Sequence, residues 1–228
     1  MIARPLLVAG LLATAPAHAD LMQDQVLAGL RRADTADVAF TATTRIVRTG
    51  ASPSEIVTRY DPRAPAGRRW SVARVDGRAP TAKETGQILK AANGTPLPSQ
   101  AKIAQWFGSP ATRIAQTPGT VTYRFAALPP GVVKVGSRDL SADTIADVVV
   151  ALHGGAPFIE RTRFTSTKGF RMMLVAKVDR FAATTSFAPL PDGRPFPASA
   201  QVDMGGSIMG KGGTFATLTR YDDLRATR

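Results

Sequence analysis

From residue 38 the chain alternates, with Val38, Phe40, Ala42, Thr44 and Ile46 on one side and mostly small or polar residues on the other. That two-residue period belongs to a strand with one buried face. Gly50 and the residues up to Ser54 interrupt it. Alternation returns in Ile56, Thr58 and Tyr60, stops at Asp61-Pro62, returns in Trp70, Val72 and Arg74, and stops again at the turn pair Asp76-Gly77. Three consecutive antiparallel strands are the expectation. Ahead of them, Met22 (or Leu21), Val26, Leu27 and Leu30 recur at helical spacing. They give one apolar stripe, suited to lying on another surface.

A helical insertion follows the third strand. Thr81 and Glu84 form a capping box after Pro80, in which each residue serves an amide the other leaves free. Thr85, Ile88, Leu89 and Ala92 share one face, and Gly94 suits the helix end. A shorter helix groups Ile103, Trp106 and Phe107 before Gly108-Ser109-Pro110. Two amphipathic helices between strands act either as a cover over a sheet face or as ordinary core packing. Strand patterns then resume at 121–125, 147–152, 158–164, 170–178, 181–187, 196–204 and 214–221, with turns at Gly154-Gly155, Lys168-Gly169 and Asp192-Gly193. The spacing predicts a mainly β (α+β) chain built on one large antiparallel sheet, curved or partly closed. No repeat, low-complexity linker or break in composition divides it.

The ends change the picture. Arg4, the apolar run 6–13 and the small-x-small pattern Ala17-His18-Ala19 form a secretory signal over residues 1–19. Its apolar run is well short of the ~20 residues that span a bilayer. Residues 20–228 are then a single exported β-rich domain, periplasmic in a bacterium, beginning at Asp20. The chain has no cysteine. Disulfides, thiolate metal sites and a lipidated N-terminal cysteine are thereby excluded, and the core must hold the fold unaided. The net charge of +12, or +11 once Arg4 is removed, favours anionic partners such as a membrane surface. Export argues against nucleic acid. The cations are scattered, among them Arg59, Arg63, Arg68, Arg69, Arg74 and Arg78, so a merely solvated basic surface explains them equally well.

Candidate chemistry is sparse. His153 is the one histidine outside the signal and cannot build a multi-histidine metal site. Residues 205–211 read Gly-Gly-Ser-Ile-Met-Gly-Lys, the spacing of a phosphate-binding loop. Gly212 stands where that motif needs Ser or Thr, however, and a strand pattern follows where a helix should start. A glycine-rich turn between strands explains the segment. Asp61, Asp76, Asp222 and Asp223 lie at expected strand ends, where aspartate serves turns. Asn93-Gly94-Thr95 is formally a glycosylation acceptor and reads better as a helix end. No catalytic residue, metal or cofactor is assigned.

Several short segments carry a family likeness: Arg59-Tyr60-Asp61-Pro62, Arg69-Trp70, the run from Val75-Asp76-Gly77 through Arg78-Ala79-Pro80-Thr81, and Arg220-Tyr221-Asp222-Asp223-Leu224-Arg225. With the export signal, the first helix and the inserted helices, the chain resembles the superfamily of periplasmic outer-membrane lipoprotein carriers. The resemblance implies an unclosed β-barrel whose concave face is covered by the helices, with an apolar cavity between them for acyl chains. The chain departs from those carriers in its greater length and in lacking the lipidated cysteine of the membrane-anchored receptors.

The expected cavity residues are Phe40, Ile46, Tyr60, Trp70, Val72, Tyr123 and Phe125 from strands, and Ile88, Leu89, Trp106 and Phe107 from the insertion. Alternation predicts their burial and leaves open whether they enclose a cavity or fill a core. A carrier of lipid or of a lipid-modified protein is the leading expectation. An envelope scaffold that binds another protein through a sheet edge or the basic surface is the second, and a hydrolase built on Asp61 or Asp76 the third. N-terminal sequencing of the chain recovered from an envelope extract is expected to begin at Asp20, and a start at Met1 would remove the export assignment.

Overall fold

The period-two segments form strands, and their order in the sheet differs from their order in the chain. The computed structural model describes residues 20–30, 37–94, 99–152, 156–172 and 176–227. The expected signal segment 1–19 and His153 with Gly154-Gly155 lie outside the described residues. Leu21–Leu30 (α1) precedes Val38–Arg48 (β1), Ser54–Tyr60 (β2) and Trp70–Val75 (β3). Ala82–Gly94 (α2) and Gln100–Phe107 (α3) lead to Thr112–Gln116 (β4) and Thr120–Phe125 (β5). A small hairpin, Lys134–Val135 (β6) and Arg138–Asp139 (β7), precedes Thr144–Ala151 (β8) and Phe158–Ser166 (β9). Phe170–Met172 (β10), Ala176–Pro189 (β11), Pro195–Ile208 (β12) and Lys211–Ala226 (β13) complete the chain.

The main sheet is antiparallel and open, in the order β3-β2-β1-β13-β12-β11-β9-β8-β5-β4, with β10 also paired to β11. The last strand therefore lies beside the first, with Ala42 opposite Tyr221 and Ile46 opposite Thr217. The two end strands, β3 and β4, are consecutive in sequence. The segment carrying α2 and α3 must therefore pass from one edge of the sheet to the other. The expected helical insertion thus lies in the crossing that the strand order requires. The capping box forms as expected: Glu84 N–H donates to Thr81 Oγ1 at 3.3 Å, and Thr81 N–H donates to Glu84 Oε2 at 2.8 Å.

Two turns answer directly to their residues. Asp76 and Gly77 both have positive φ, 50° and 78°, between Val75 and Arg78, which bridge. Met209 and Gly210, at 50° and 80°, join Ile208 to Lys211. Each is a two-residue turn with left-handed central residues, whose twist suits a hairpin. The glycine-rich segment 205–211 is therefore a hairpin end, as its sequence suggested. Its first two glycines have a separate role. β11 bulges between Val178 and Arg180 opposite Gly205 and Gly206. A Cβ on Gly206 would overlap the Lys177 carbonyl.

The sequence expectation fails in three places. Residues 170–178, read as one strand, are two: β10 turns back so that Phe170 pairs with Val178 in β11. Both side chains are buried, so the apolar pattern of the two arms does not distinguish them from one strand. β11 then continues through the segment 181–187 that was read separately. β4 went unrecognised because all five of its residues are exposed and it has no apolar face to read. The β6–β7 hairpin is too short to show a period.

Because backbone atoms oppose a side chain at position 206, Gly206→Ala is expected to destabilise the fold by about 2 kcal/mol or more. Gly210→Ala, which meets no atom within 4 Å but keeps a positive φ, is expected to cost only about 1 kcal/mol. Urea midpoints check the pair, and equal losses would mean that the β11 bulge does not crowd Gly206.

Candidate functional site

Strand register carries one face across the whole sheet. Ile46 lies opposite Thr217, Thr217 opposite Val202, Val202 opposite Ala183, Ala183 opposite Phe164, Phe164 opposite Ala146 and Ala146 opposite Phe125. Directly opposite residues share a side, so this inner face contains most of the expected site residues. The other face bears Arg45, Arg59, Arg220, Arg161, Arg163 and Arg124. Of the scattered cations of the sequence, Arg59 lies on this outer side and Arg63, Arg68, Arg69 and Arg78 lie outside the strands; Arg124 pairs there with Asp147 at 2.7 Å.

The inner face holds two packed clusters. In the larger, Trp106 and Phe107 of α3 descend onto β5 and β9. Trp106 meets Phe125 edge-on at 5.1 Å and Phe164 at 5.7 Å, and Phe107 meets Tyr123 at 5.8 Å and 83°. Val26 and Leu30 of α1 join this cluster, as its helical stripe predicted. Gln23 ties the two helices together by donating to the Phe107 and Ser109 carbonyls, and Gln100 donates to the Ile159 carbonyl at 2.6 Å. In the smaller cluster, Phe40 is the hub: Tyr60, Trp70, Phe196 and Tyr221 all place their rings within 5.5 Å of it. Burial pushes the Tyr221 phenol up to about 12.

Between the clusters, β1, β13, β12 and β11 present a strip of half-buried side chains: Thr44 and Ile46, Thr217 and Thr219, Ala200 and Val202, Ala183 and Thr185. Thr44 and Thr219 share a hydroxyl hydrogen bond of 2.9 Å. The main helix contacts fall elsewhere, α1 on β9 and α2 on β3. The strip is about four strands wide, or roughly 15 Å at the usual strand spacing.

The expected single lining is therefore divided. Trp106, Phe107, Tyr123 and Phe125 fill the first cluster, and Phe40, Tyr60 and Trp70 fill the second. Ile46 lies on the strip, and Val72 is half-buried opposite Thr58 in β2. Ile88 and Leu89 are half-buried on α2 and belong to neither cluster. Sequence reasoning missed Thr217, Ala200, Val202 and Thr219. Thr217, Thr219 and Ala200 are small or hydroxylic and carry little apolar signal, and only the β1–β13 and β12–β13 pairings together bring these four residues to the side of Ile46.

The acidic candidates are taken up by turns and ion pairs. Asp61 accepts from the backbone and guanidinium of Arg63, and Asp76 accepts from Ser54 Oγ and the Glu55 N–H. Asp223, at positive φ, accepts from Thr41. Among the described residues, no group of three or more His, Cys, Asp or Glu could hold a metal ion. No helix among them is long and apolar enough to cross a membrane.

Asp20 supplies an electrostatic anchor beside the larger cluster. Its carboxylate accepts the Met22 N–H at the start of α1, the Tyr123 hydroxyl at 2.9 Å, and two bonds from Arg113 Nη2 at 2.8 and 2.7 Å. Burial acts to raise this carboxyl, but the bonds from Arg113, Tyr123 and Met22 outweigh it and hold the group below its ordinary value of 3.8. Burial, then the bond to Asp20, pushes the Tyr123 phenol up to about 12.

No family model and no curated protein matches the sequence. Among solved structures, the chain is similar to the crystal structure of a LolA superfamily protein from Nitrosomonas europaea, with 10% identity and a TM-score of 0.36 over 91% of this chain and 92% of that one.

The depressed Asp20 carboxyl makes stability depend on pH in a defined direction. The folded state binds fewer protons than the unfolded one, so the stabilisation is complete above the ordinary carboxylate range and is lost as pH falls through the lower folded value. Asp20→Asn is expected to lower stability by about 1 kcal/mol at neutral pH, limited by solvent around the half-exposed Arg113. It should lose that deficit in acid strong enough to protonate both states. Urea midpoints of parent and variant across that range provide the check.

Proposed function

We propose that this chain is a non-catalytic binding protein or carrier of the bacterial periplasm, and that its ligand is acylated: a lipid or a lipid-modified protein. The observation that carries this reading is the half-buried strip on the inner face of β1, β13, β12 and β11, bounded at both ends by aromatic clusters. An acyl chain laid across it would exchange water for Ile46, Val202, Ala183 and Ala200, at about 0.8 kcal/mol for each methylene buried. The sheet order is open rather than closed into a barrel, and Ala183 and Val202, which pack against the larger cluster, join the strip to that apolar layer. Small side chains at Ala183 and Ala200 give the chain room, and the Thr hydroxyls tolerate water when the site is empty. The arginine-bearing outer face favours an anionic membrane surface as the place of loading or delivery.

One observation supports the scaffold reading. β4 ends the sheet with all five residues exposed, including Ile114, 43% accessible, and an open edge can accept another strand. Its pairing with β5 shifts between Arg113 and Ala115, and such irregularity weakens an edge as a template. The strip is therefore preferred.

Native mass spectrometry of the mature chain from an envelope extract, followed by organic extraction, is expected to release an acylated molecule. Ala200→Trp, which fills the strip, should weaken acyl binding by about tenfold or more while leaving the melting temperature close to the parent's. A clean apo mass after incubation with envelope lipids, together with a stoichiometric protein partner, would transfer the assignment to the scaffold.

A further inference from the structure

Away from the strip, β7, β10 and β11 bound an open cleft of about 470 Å³ lined by Arg138, Gly169, Phe170, Arg171, Lys177 and Asp179. Its charge is unbalanced. Lys177 pairs with Asp179 at 2.7 Å, whereas among the described residues no carboxylate partners Arg138 or Arg171. Arg171 also lies directly opposite Lys177 in the β10–β11 pair, an arrangement in which like charges repel across the strands. Arg138 is held over the face of Phe170, 6.0 Å from the ring centre, and its Nη1 donates to the Arg171 carbonyl at 3.4 Å. The guanidinium is thus positioned before any ligand arrives. Phe170 is buried, part of the larger apolar cluster, so the cleft has a firm floor.

We propose that this cleft binds a phosphoryl anion, and specifically the phosphorylated headgroup of a lipid. Guanidinium groups match phosphoryl oxygens in pairs, and an anion between Arg171 and Lys177 removes their repulsion. The volume far exceeds that of a bare phosphate ion and falls in the range of small-molecule sites, which favours a headgroup over free phosphate. The identification of the anion as a lipid headgroup rests on the acyl-ligand reading above, whereas phosphoryl binding by the cleft stands on its own.

The test uses the mature full chain at low salt with three soluble probes: inorganic phosphate, dihexanoyl phosphatidylglycerol and dihexanoyl phosphatidylcholine. Calorimetry is expected to rank phosphatidylglycerol above both others. Arg171→Gln is expected to weaken it about tenfold, while Lys83→Gln on the exposed face of α2 changes it by less than about twofold. Arg138→Lys, which keeps the charge and loses the paired geometry, should weaken it by an intermediate amount at an unchanged melting temperature. Equal losses in Arg171→Gln and Lys83→Gln, or no binding by the parent, would overturn the cleft as a site. Inorganic phosphate binding as tightly as phosphatidylglycerol would overturn the headgroup assignment. Ala200→Trp separates this from the strip: it should spare inorganic phosphate and phosphatidylglycerol of short chain, and weaken only long-chain ligands.

Discussion

The pairing of β13 with β1 is the constraint on which the rest of the molecule depends. It joins residues some 180 positions apart in the chain, in a register running from Val38 opposite Ala226 to Arg48 opposite Phe215. Without it, β1, β2 and β3 would be a separate three-stranded sheet with an unprotected edge. With it, Phe40 gains Tyr221 and Phe196 as neighbours, and the smaller cluster exists. Such a contact closes a very long loop before it gains any packing energy, so slow folding and late acquisition of this pairing are its physical corollary.

The same pairing sets the polarity of the sheet. One register carries every strand's even or odd set to the inner side, and a slip of one residue at β1–β13 would turn Ile46, Thr44 and Phe40 outward. The Thr44–Thr219 hydroxyl bond and the bulge between Ala39 and Thr41 are local features that distinguish this register from its neighbours. The outer side then takes Arg45, Arg59, Arg124, Arg161, Arg163 and Arg220 toward water. Helices contribute by topology. The crossing from β3 to β4 delivers Trp106 and Phe107 to one end of the inner face, and α1 packs beside them through Gln23. What is left between the helix-covered end and the Phe40 cluster is the strip.

Local pattern and tertiary structure divided the work in a way the physics explains. The strand period, the capping box at Thr81 and Glu84, and the turns at Asp76-Gly77 and Met209-Gly210 depend on neighbours within a few residues, and each was legible in the chain. Burial of Phe40, Tyr60, Trp106, Phe107, Tyr123 and Phe125 was legible for the same reason, because alternation and helical spacing mark a buried side. β4 was invisible because a fully exposed edge strand has no such mark, and the β10–β11 reversal because both arms carry the same apolar pattern. Which side chains share a surface was beyond the sequence altogether. Strand partners are chosen by the summed fit of distant faces, so only the folded sheet could split the expected cavity residues into two clusters, place Thr217 and Ala200 beside Ile46, and set Arg138 against Arg171 and Lys177.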